Sequence, residues 1–100
     1  MRDFRTLDLA VEFHQAASAM RVPAYLRLQL DRASASVALN LAEGRGRPTR
    51  RDQLRFFGIA MGSARECQTA LRLVRGADPR VVDLADHLCA SLHRLIKHAR

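Results

Sequence analysis

Residues 44–52, Gly-Arg-Gly-Arg-Pro-Thr-Arg-Arg-Asp, stand between two long runs of helix-forming residues and set how the rest of the chain is read. Two glycines and a proline within five positions end the run before them. Thr49, with Asp52 three residues later, has the form of a capping box that opens the run after them. Further out, Val22-Pro23 breaks the chain on one side and Gly76-Ala77-Asp78-Pro79 on the other. Gly76 suits the position just past a helix end, and Asp78-Pro79 suits an N-cap followed by a proline in the first turn. This punctuation predicts four helices, at about residues 3–20, 24–43, 50–75 and 79–98. Links this short join antiparallel neighbours. The expected fold is therefore all-α, an antiparallel up-down four-helix bundle forming one domain over residues 1–100.

Composition agrees. Hydrophobic residues make up 48% of the chain and aromatics only 5%, so the core must be aliphatic and alanine-rich. Alanine and leucine are strong helix formers. No run approaches the roughly 18 apolar residues of a membrane span. Asp3, Asp8 and Glu12 interrupt the N-terminal stretch where a signal peptide needs an unbroken apolar segment. The expected location is cytoplasmic, with no membrane partner. Cys67 and Cys89 lie far apart, in no C-x-x-C pattern, and read as small apolar residues rather than as a disulfide or a zinc site. The formal charge of +7 favours anionic partners. Lys97 is the only lysine, and arginine suits bidentate phosphate contact, although a GC-rich coding sequence produces the same bias.

The helix faces are unequal. Val81, Ala85, Leu88, Leu92, Leu95 and Ile96 give helix four one apolar face, with Asp83, Asp86, His87, Arg94, Lys97 and His98 opposite. Helix two has a core stripe of Leu26, Leu30, Ala33, Val37 and Leu41, and a second stripe of Leu28, Ala35 and Leu39 on roughly the opposite side. On helix three the apolar residues from Phe56 to Val74 cover an arc of roughly 200°, about twice the usual stripe. Apolar surface beyond a private core implies self-association, with Ala35, Ala60 and Ala64 permitting close approach.

Polar residues edge these stripes. Gln29, Ser36, Asn40 and Glu43 lie on helix two, and Ser63 and Glu66 on helix three. Asn40 and Glu43 are expected to tie down the turn at 45–48, because buried polar groups must be hydrogen-bonded. The stretch Gln29-Leu-Asp-Arg-Ala33-Ser-Ala-Ser36-Val37-Ala-Leu-Asn40-Leu-Ala-Glu43-Gly44, followed by Phe56-Phe57-Gly58-Ile59-Ala60-Met61-Gly62-Ser63-Ala64-Arg65-Glu66, resembles the four-helix-bundle family encoded in 23S rRNA intervening sequences. Accessory proteins of diversity-generating retroelements, which partner a reverse transcriptase, are similar to the same group. The resemblance implies a basic homo-pentamer built as a barrel of neighbouring subunits' helices. It also implies no catalytic activity and a nucleic-acid-binding role. Gln29, Ser36, Asn40, Glu43, Gly44, Ser63 and Glu66 match signature positions and read as structural. The chain departs from the resemblance between helices one and two, where relatives carry a longer acidic and aromatic segment.

The sharpest binding candidate is the turn itself. Arg45, Arg47, Arg50, Arg51 and Arg55, with Asp52 the only acid, put a net +4 on residues 45–55. Glycines let backbone approach a phosphate closely, and the start of helix three offers amides and the positive end of its dipole. No aromatic is interleaved in the manner of a single-strand stacking platform. His14 sits on an apolar face of helix one with Leu7, Ala10 and Val11, where it should bond a buried polar group. His87, His93 and His98 are too spread for a ligand pair, and the E-x-x-H pairs of di-iron bundles are absent. With no nucleophile or partner acid near Glu43, no cofactor, metal or catalytic site is expected. The reading is a non-enzymatic oligomeric scaffold that binds RNA or DNA backbone, or a nucleic-acid enzyme such as a reverse transcriptase. The alternative is an interaction module docking an acidic protein.

Overall fold

The computed structural model describes residues 4–99. They form α1 (Arg5–Ala19), α2 (Ala24–Arg45), α3 (Arg50–Leu73) and α4 (Pro79–Ala99), with no strand among them. The expected start of α1 at residue 3 lies outside the described residues. Each helix packs on the two next to it around the bundle, and the diagonal pairs α1/α3 and α2/α4 do not meet. The body measures 41 × 21 × 18 Å, the long axis matching helices of twenty-odd residues. No helix among the described residues is long and apolar enough to cross a membrane.

The ends follow the residues that can cap them. Thr49 Oγ1 accepts the Asp52 amide at 3.2 Å and opens α3. Asp78 Oδ1 accepts the Arg80 amide at 2.9 Å and opens α4, with Pro79 as its first residue. Gly76 holds φ +71°, a left-handed conformation that a side chain would strain. It lies beyond the cap residue Val74, because α3 stops at Leu73 rather than at 75. The α1–α2 link has no glycine and is closed by a cation instead. Arg27 donates to the Ala17 carbonyl at 3.2 Å and to that of Met20, while Asp31 pairs with it at 2.8 Å. A guanidinium on the last carbonyls of a helix satisfies orphan acceptors and opposes the helix dipole.

The core is aliphatic, as composition requires. Leu26, Leu30, Ala33, Val37 and Leu41 of α2 are all buried, together with Val81, Ala85, Leu88 and Leu92 of α4. The second α2 stripe is in water: Leu28 is 66% exposed and Leu39 69%, joined one turn earlier by Tyr25 at 71%. The wide arc of α3 resolves differently. Phe57, Ala60, Ala64, Cys67, Ala70 and Leu71 are buried, Phe56, Met61 and Val74 half-buried, and Ile59 is exposed. Ala60 and Ala64 are therefore spent inside the monomer and cannot seat a second subunit, because both face the bundle axis. On α1 the buried face is Thr6, Ala10, Phe13 and Ala17, one position round from the expected Leu7, Val11 and His14. Phe13, with no exposed surface, is the large side chain that fixes it.

At least one side-chain hydrogen bond joins each adjacent pair of helices. His14 Nδ1 and Ser34 Oγ (2.6 Å) link α1 to α2, and Ser36 and Ser63 (2.9 Å) link α2 to α3. Gln68 donates to Asp86 (2.9 Å) between α3 and α4, and Thr6 and Ser91 (2.6 Å) close the ring. Polar pairs at the edges of an otherwise interchangeable leucine and alanine core fix the axial register that greasy contacts leave loose.

Gly44 is not a helix breaker, contrary to its expected role. α2 runs through it to Arg45, and the chain leaves the helix at Gly46. Its duty is close approach: a methyl there would sit 2.7 Å from Phe57 Cε1 and 3.0 Å from Phe56 Cβ. Helix propensity alone favours Gly44→Ala by up to about 1 kcal/mol, but overpacking a buried ring costs about 1–3 kcal/mol. Sterics should win, because Phe57 is only 4% exposed and has nowhere to swing. Gly44→Ala should therefore lower the thermal midpoint, whereas Gly58→Ala, with nothing within 4 Å, should hold or raise it. A more stable Gly44→Ala variant in thermal or urea unfolding would refute the packing argument.

Candidate functional site

The α2–α3 turn is built as a braced loop. The Gly46 amide reaches back to the carbonyls of Ala42 and Glu43, and the Arg47 amide to that of Gly44 at 3.1 Å. Gln53 Nε2 crosses from α3 to the Arg47 carbonyl at 3.0 Å. Glu43 pairs with Arg47 at 2.9 Å, so the signature glutamate does tie the turn. Asn40 does not: it donates to the Ser36 carbonyl (2.9 Å) and hydroxyl (3.0 Å) one turn earlier in its own helix. Through Ser36 it reaches Ser63 on α3.

The five turn arginines divide into two sets. Arg47 is half-buried, lies over the Phe56 ring at 4.7 Å, and has its Nε shielded from water without a hydrogen-bond partner. Arg45, also half-buried, lies over Phe4 at 4.7 Å. These two hold the turn against the bundle. Arg50, Arg51 and Arg55 are exposed, with Arg55 also over the Phe56 ring at 4.4 Å. An aromatic is thus interleaved after all. Phe56 is occupied as a guanidinium platform, however, which is worth about 0.5–1 kcal/mol at an exposed site. The sequence signal was present, since Phe56 follows Arg55 directly, but the packing of Arg47 across the turn is non-local. Gly44 faces Phe57 and Phe56 and does not line the outer surface. The first-turn amide of Asp52 is already taken by Thr49, so anion contact here rests on guanidinium groups more than on the helix end.

The signature residues converge elsewhere. Gln29, Ser36, Ser63 and Glu66 line a cleft of about 380 Å³ between α2 and α3, together with Arg32 and Ala33. Neither helix alone shows this grouping, because the alignment of Ser36 with Ser63 is set by how the helices pack.

Residues 5–98 match the 23S rRNA-intervening sequence protein family. The chain belongs to that family. No curated protein matches it. The match spans all four helices, so the resemblance carried by residues 29–44 and 56–66 extends to α1 and α4.

The remaining titratable groups sit inside or on the walls. His14 bonds the fully buried Ser34, which in turn donates to the Asp31 carbonyl at 3.2 Å. Among the described residues no group of three or more His, Cys, Asp or Glu side chains could hold a metal ion. Burial pushes the Cys67 thiol up to about 12, with the charges at Glu66 and Cys89 adding to the effect. Burial also raises Cys89, against the pull of Arg65. Both thiols are free, and a thiol that keeps its proton is a poor nucleophile.

The sign of the resulting pH dependence follows. Below about pH 9, the ordinary value, the Cys67 thiol is protonated in both folded and unfolded chains. Between that value and about 12 the unfolded chain releases the proton while the folded chain keeps it. Stability from this group is therefore complete below pH 9 and lost progressively as pH rises through the window. Urea unfolding at pH 8 and pH 10.5 should show a smaller alkaline loss for Cys67→Ala than for the parent chain. Equal losses would contradict the burial of this thiol.

Proposed function

We propose that this protein is a non-catalytic, self-associating helical scaffold whose α2–α3 turn binds nucleic-acid backbone. The observation that carries the binding half is the division of the turn arginines. Arg45 and Arg47 are half-buried against phenylalanine rings, and Arg50, Arg51 and Arg55 are exposed at the start of α3. Fixed cations in a net positive segment suit phosphate contact without base readout, with affinity that falls steeply as salt rises. Membership of a family named for rRNA intervening sequences makes RNA the first ligand to try. A reverse transcriptase, as with retroelement accessory proteins, is the corresponding enzyme partner. The alternative reading is an acidic protein docked on the same arginines. Nuclease treatment separates the two, since a partner bridged by RNA is lost.

The assembly half rests on α2. Tyr25, Leu28 and Leu39 recur on one outward face of α2, with Ala35 half-buried between them and Ile59 of α3 also exposed. The paired residues 14/34, 36/63, 68/86 and 6/91 support an antiparallel up-down bundle within each subunit. The family resemblance makes a cyclic pentamer the expected closure, with the Gln29–Glu66 cleft near the seam. Cytoplasmic location belongs to the same proposal.

Two measurements test these halves separately. Light scattering should give a mass several times the 11.2 kDa chain, and Leu28→Glu with Leu39→Glu should reduce it to the monomer. A parent chain that is monomeric at micromolar concentration removes the assembly. In gel shifts on RNA, replacing Arg50, Arg51 and Arg55 by serine should weaken binding strongly. It should also lower the slope of log affinity against log salt by about 2–3, at roughly 0.7–0.9 per phosphate contact. Replacing Arg45 and Arg47 should mainly lower stability. Unchanged affinity of the first variant removes the turn as the binding site.

A further inference from the structure

Three guanidinium groups elsewhere on the molecule are answered by a carboxylate: Arg27 by Asp31, Arg47 by Glu43, Arg80 by Glu12. The outer face of α3 gathers four others in one row. At about 100° per residue, Arg51, Arg55, Gly58, Gly62, Arg65 and Arg72 fall within an arc of about 100° on the side away from the core. All six are exposed. Among the described residues no carboxylate lies within ion-pair distance of any of these four arginines. The two acids of the helix lie off this arc: Asp52 is in the capped first turn, and Glu66 faces the cleft shared with α2.

Three of the positions, Arg51, Arg65 and Arg72, keep a strict seven-residue spacing with Gly58, so the row runs almost straight along the helix. Its span from Arg51 to Arg72 is about 31 Å at 1.5 Å per residue. The far end opens onto a groove of about 530 Å³ between α3 and α4, lined by Arg65, Gln68, Thr69 and Arg72 with Val82 and Asp86 opposite. Gln68 donates to the Asp86 carboxylate at 2.9 Å, which holds that acid against α3 as the single acidic side chain of the groove lining. In the middle, Gly58 and Gly62 leave open space where side chains would otherwise hold a partner off.

We propose that the outer face of α3 is a phosphate-contacting track for double-stranded nucleic acid, anchored at one end by Arg51 and Arg55 and at the other by Arg65 and Arg72. The inference rests on the nucleic-acid reading of the turn and extends it by a second, separate anchor. A rigid row of cations fits a ligand whose phosphates are themselves held in a rigid array. At the 3.4 Å per step of B-form DNA the row spans about nine base pairs. The track carries no exposed aromatic on which single-stranded bases could stack, because Phe56 is half-buried and lies against Arg47 and Arg55.

The test uses the full chain and DNA probes: duplexes of 6 and 20 base pairs, and the single strands of each. Arg65→Ser with Arg72→Ser should weaken binding of the 20-base-pair duplex at least tenfold and lower its salt slope by about 1.5–2, at about 0.9 per contact. Binding of the 6-base-pair duplex, too short to reach both anchors, should change less than threefold. The turn variant lacking Arg50, Arg51 and Arg55 should weaken both. Loss of binding in the turn variant with no effect of the Arg65/Arg72 variant overturns the track while leaving the turn reading intact. No effect of the turn variant overturns the turn reading itself. Equal affinity of the parent for single strands and duplexes overturns the duplex assignment. A change in assembly mass for the Arg65/Arg72 variant by light scattering marks the row as a subunit contact, which also overturns the track.

Discussion

The close contact of Gly44 with Phe57 is the constraint from which the α2–α3 half of the molecule is organised. With no Cβ at Gly44, the Phe57 ring packs against the α2 backbone itself, and Phe56 Cβ comes nearly as close. That approach forces the two helices together at the turn end. It lets α2 continue to Arg45 before the chain reverses, and it presents the Phe56 ring to Arg47 and Arg55. The same alignment, carried two turns down the helices, sets Ser36 against Ser63 and opens the cleft that gathers Gln29 and Glu66. The family's signature residues are thus one mechanical unit. A glycine sets the distance, a serine pair sets the register, and a glutamate–arginine pair closes the loop.

Register matters because this core has little shape of its own. Of the two phenylalanines among the buried residues, Phe13 lies on α1 and Phe57 on α3, and the rest is leucine, valine, alanine and one cysteine. Such side chains pack nearly as well one turn out of step. The hydrogen bond at each of the four helix seams removes that degeneracy at modest net energy, about 1 kcal/mol each. Their arrangement also explains His14. A histidine on a half-buried face is costly unless bonded, and Ser34, itself fully buried, provides its partner and donates onward to a carbonyl.

Local chemistry was legible in the sequence, and long-range contact was not. Thr49, Asp78 and Gly76 announced their roles because capping depends on residues one to three positions away. The core stripes of α2 and α4 followed from period alone. The phase of α1 differs by one position because Leu7, Ala10, Val11 and His14 make as good a stripe as Thr6, Ala10, Phe13 and Ala17, and burial of Phe13 in the core, with Thr6 bonded to Ser91 of α4, decides between them. Gly44 misled for a related reason. A glycine followed by Gly46 and Pro48 reads as a break, and its true role needs a ring twelve or thirteen residues later in the chain. The arginines at 45–55 were visible as charge, but the half-burial of Arg45 and Arg47 depends on how Phe4 and Phe56 pack beside the turn.

The two outward features of the molecule bear on each other. Tyr25, Leu28 and Leu39 give α2 an apolar outer face, while α3 beside it carries arginines without carboxylate partners. Burying the α2 face between copies gains apolar contact, but each copy brings a formal +7 into the assembly. Like charges held at fixed positions repel, and the repulsion grows with each subunit added. On the proposed reading a polyanion is the natural counterweight, since phosphates on the α3 side offset the charge that assembly through α2 accumulates. Assembly and nucleic-acid binding are then coupled through electrostatics alone, with no conformational change required. The coupling should be strongest where salt is too dilute to screen the arginines, and it should fade as the screening length falls to about 3 Å near 1 M salt. A helix pair with one apolar and one cationic outer face is built for that linkage, since neither face can be filled without changing the cost of filling the other.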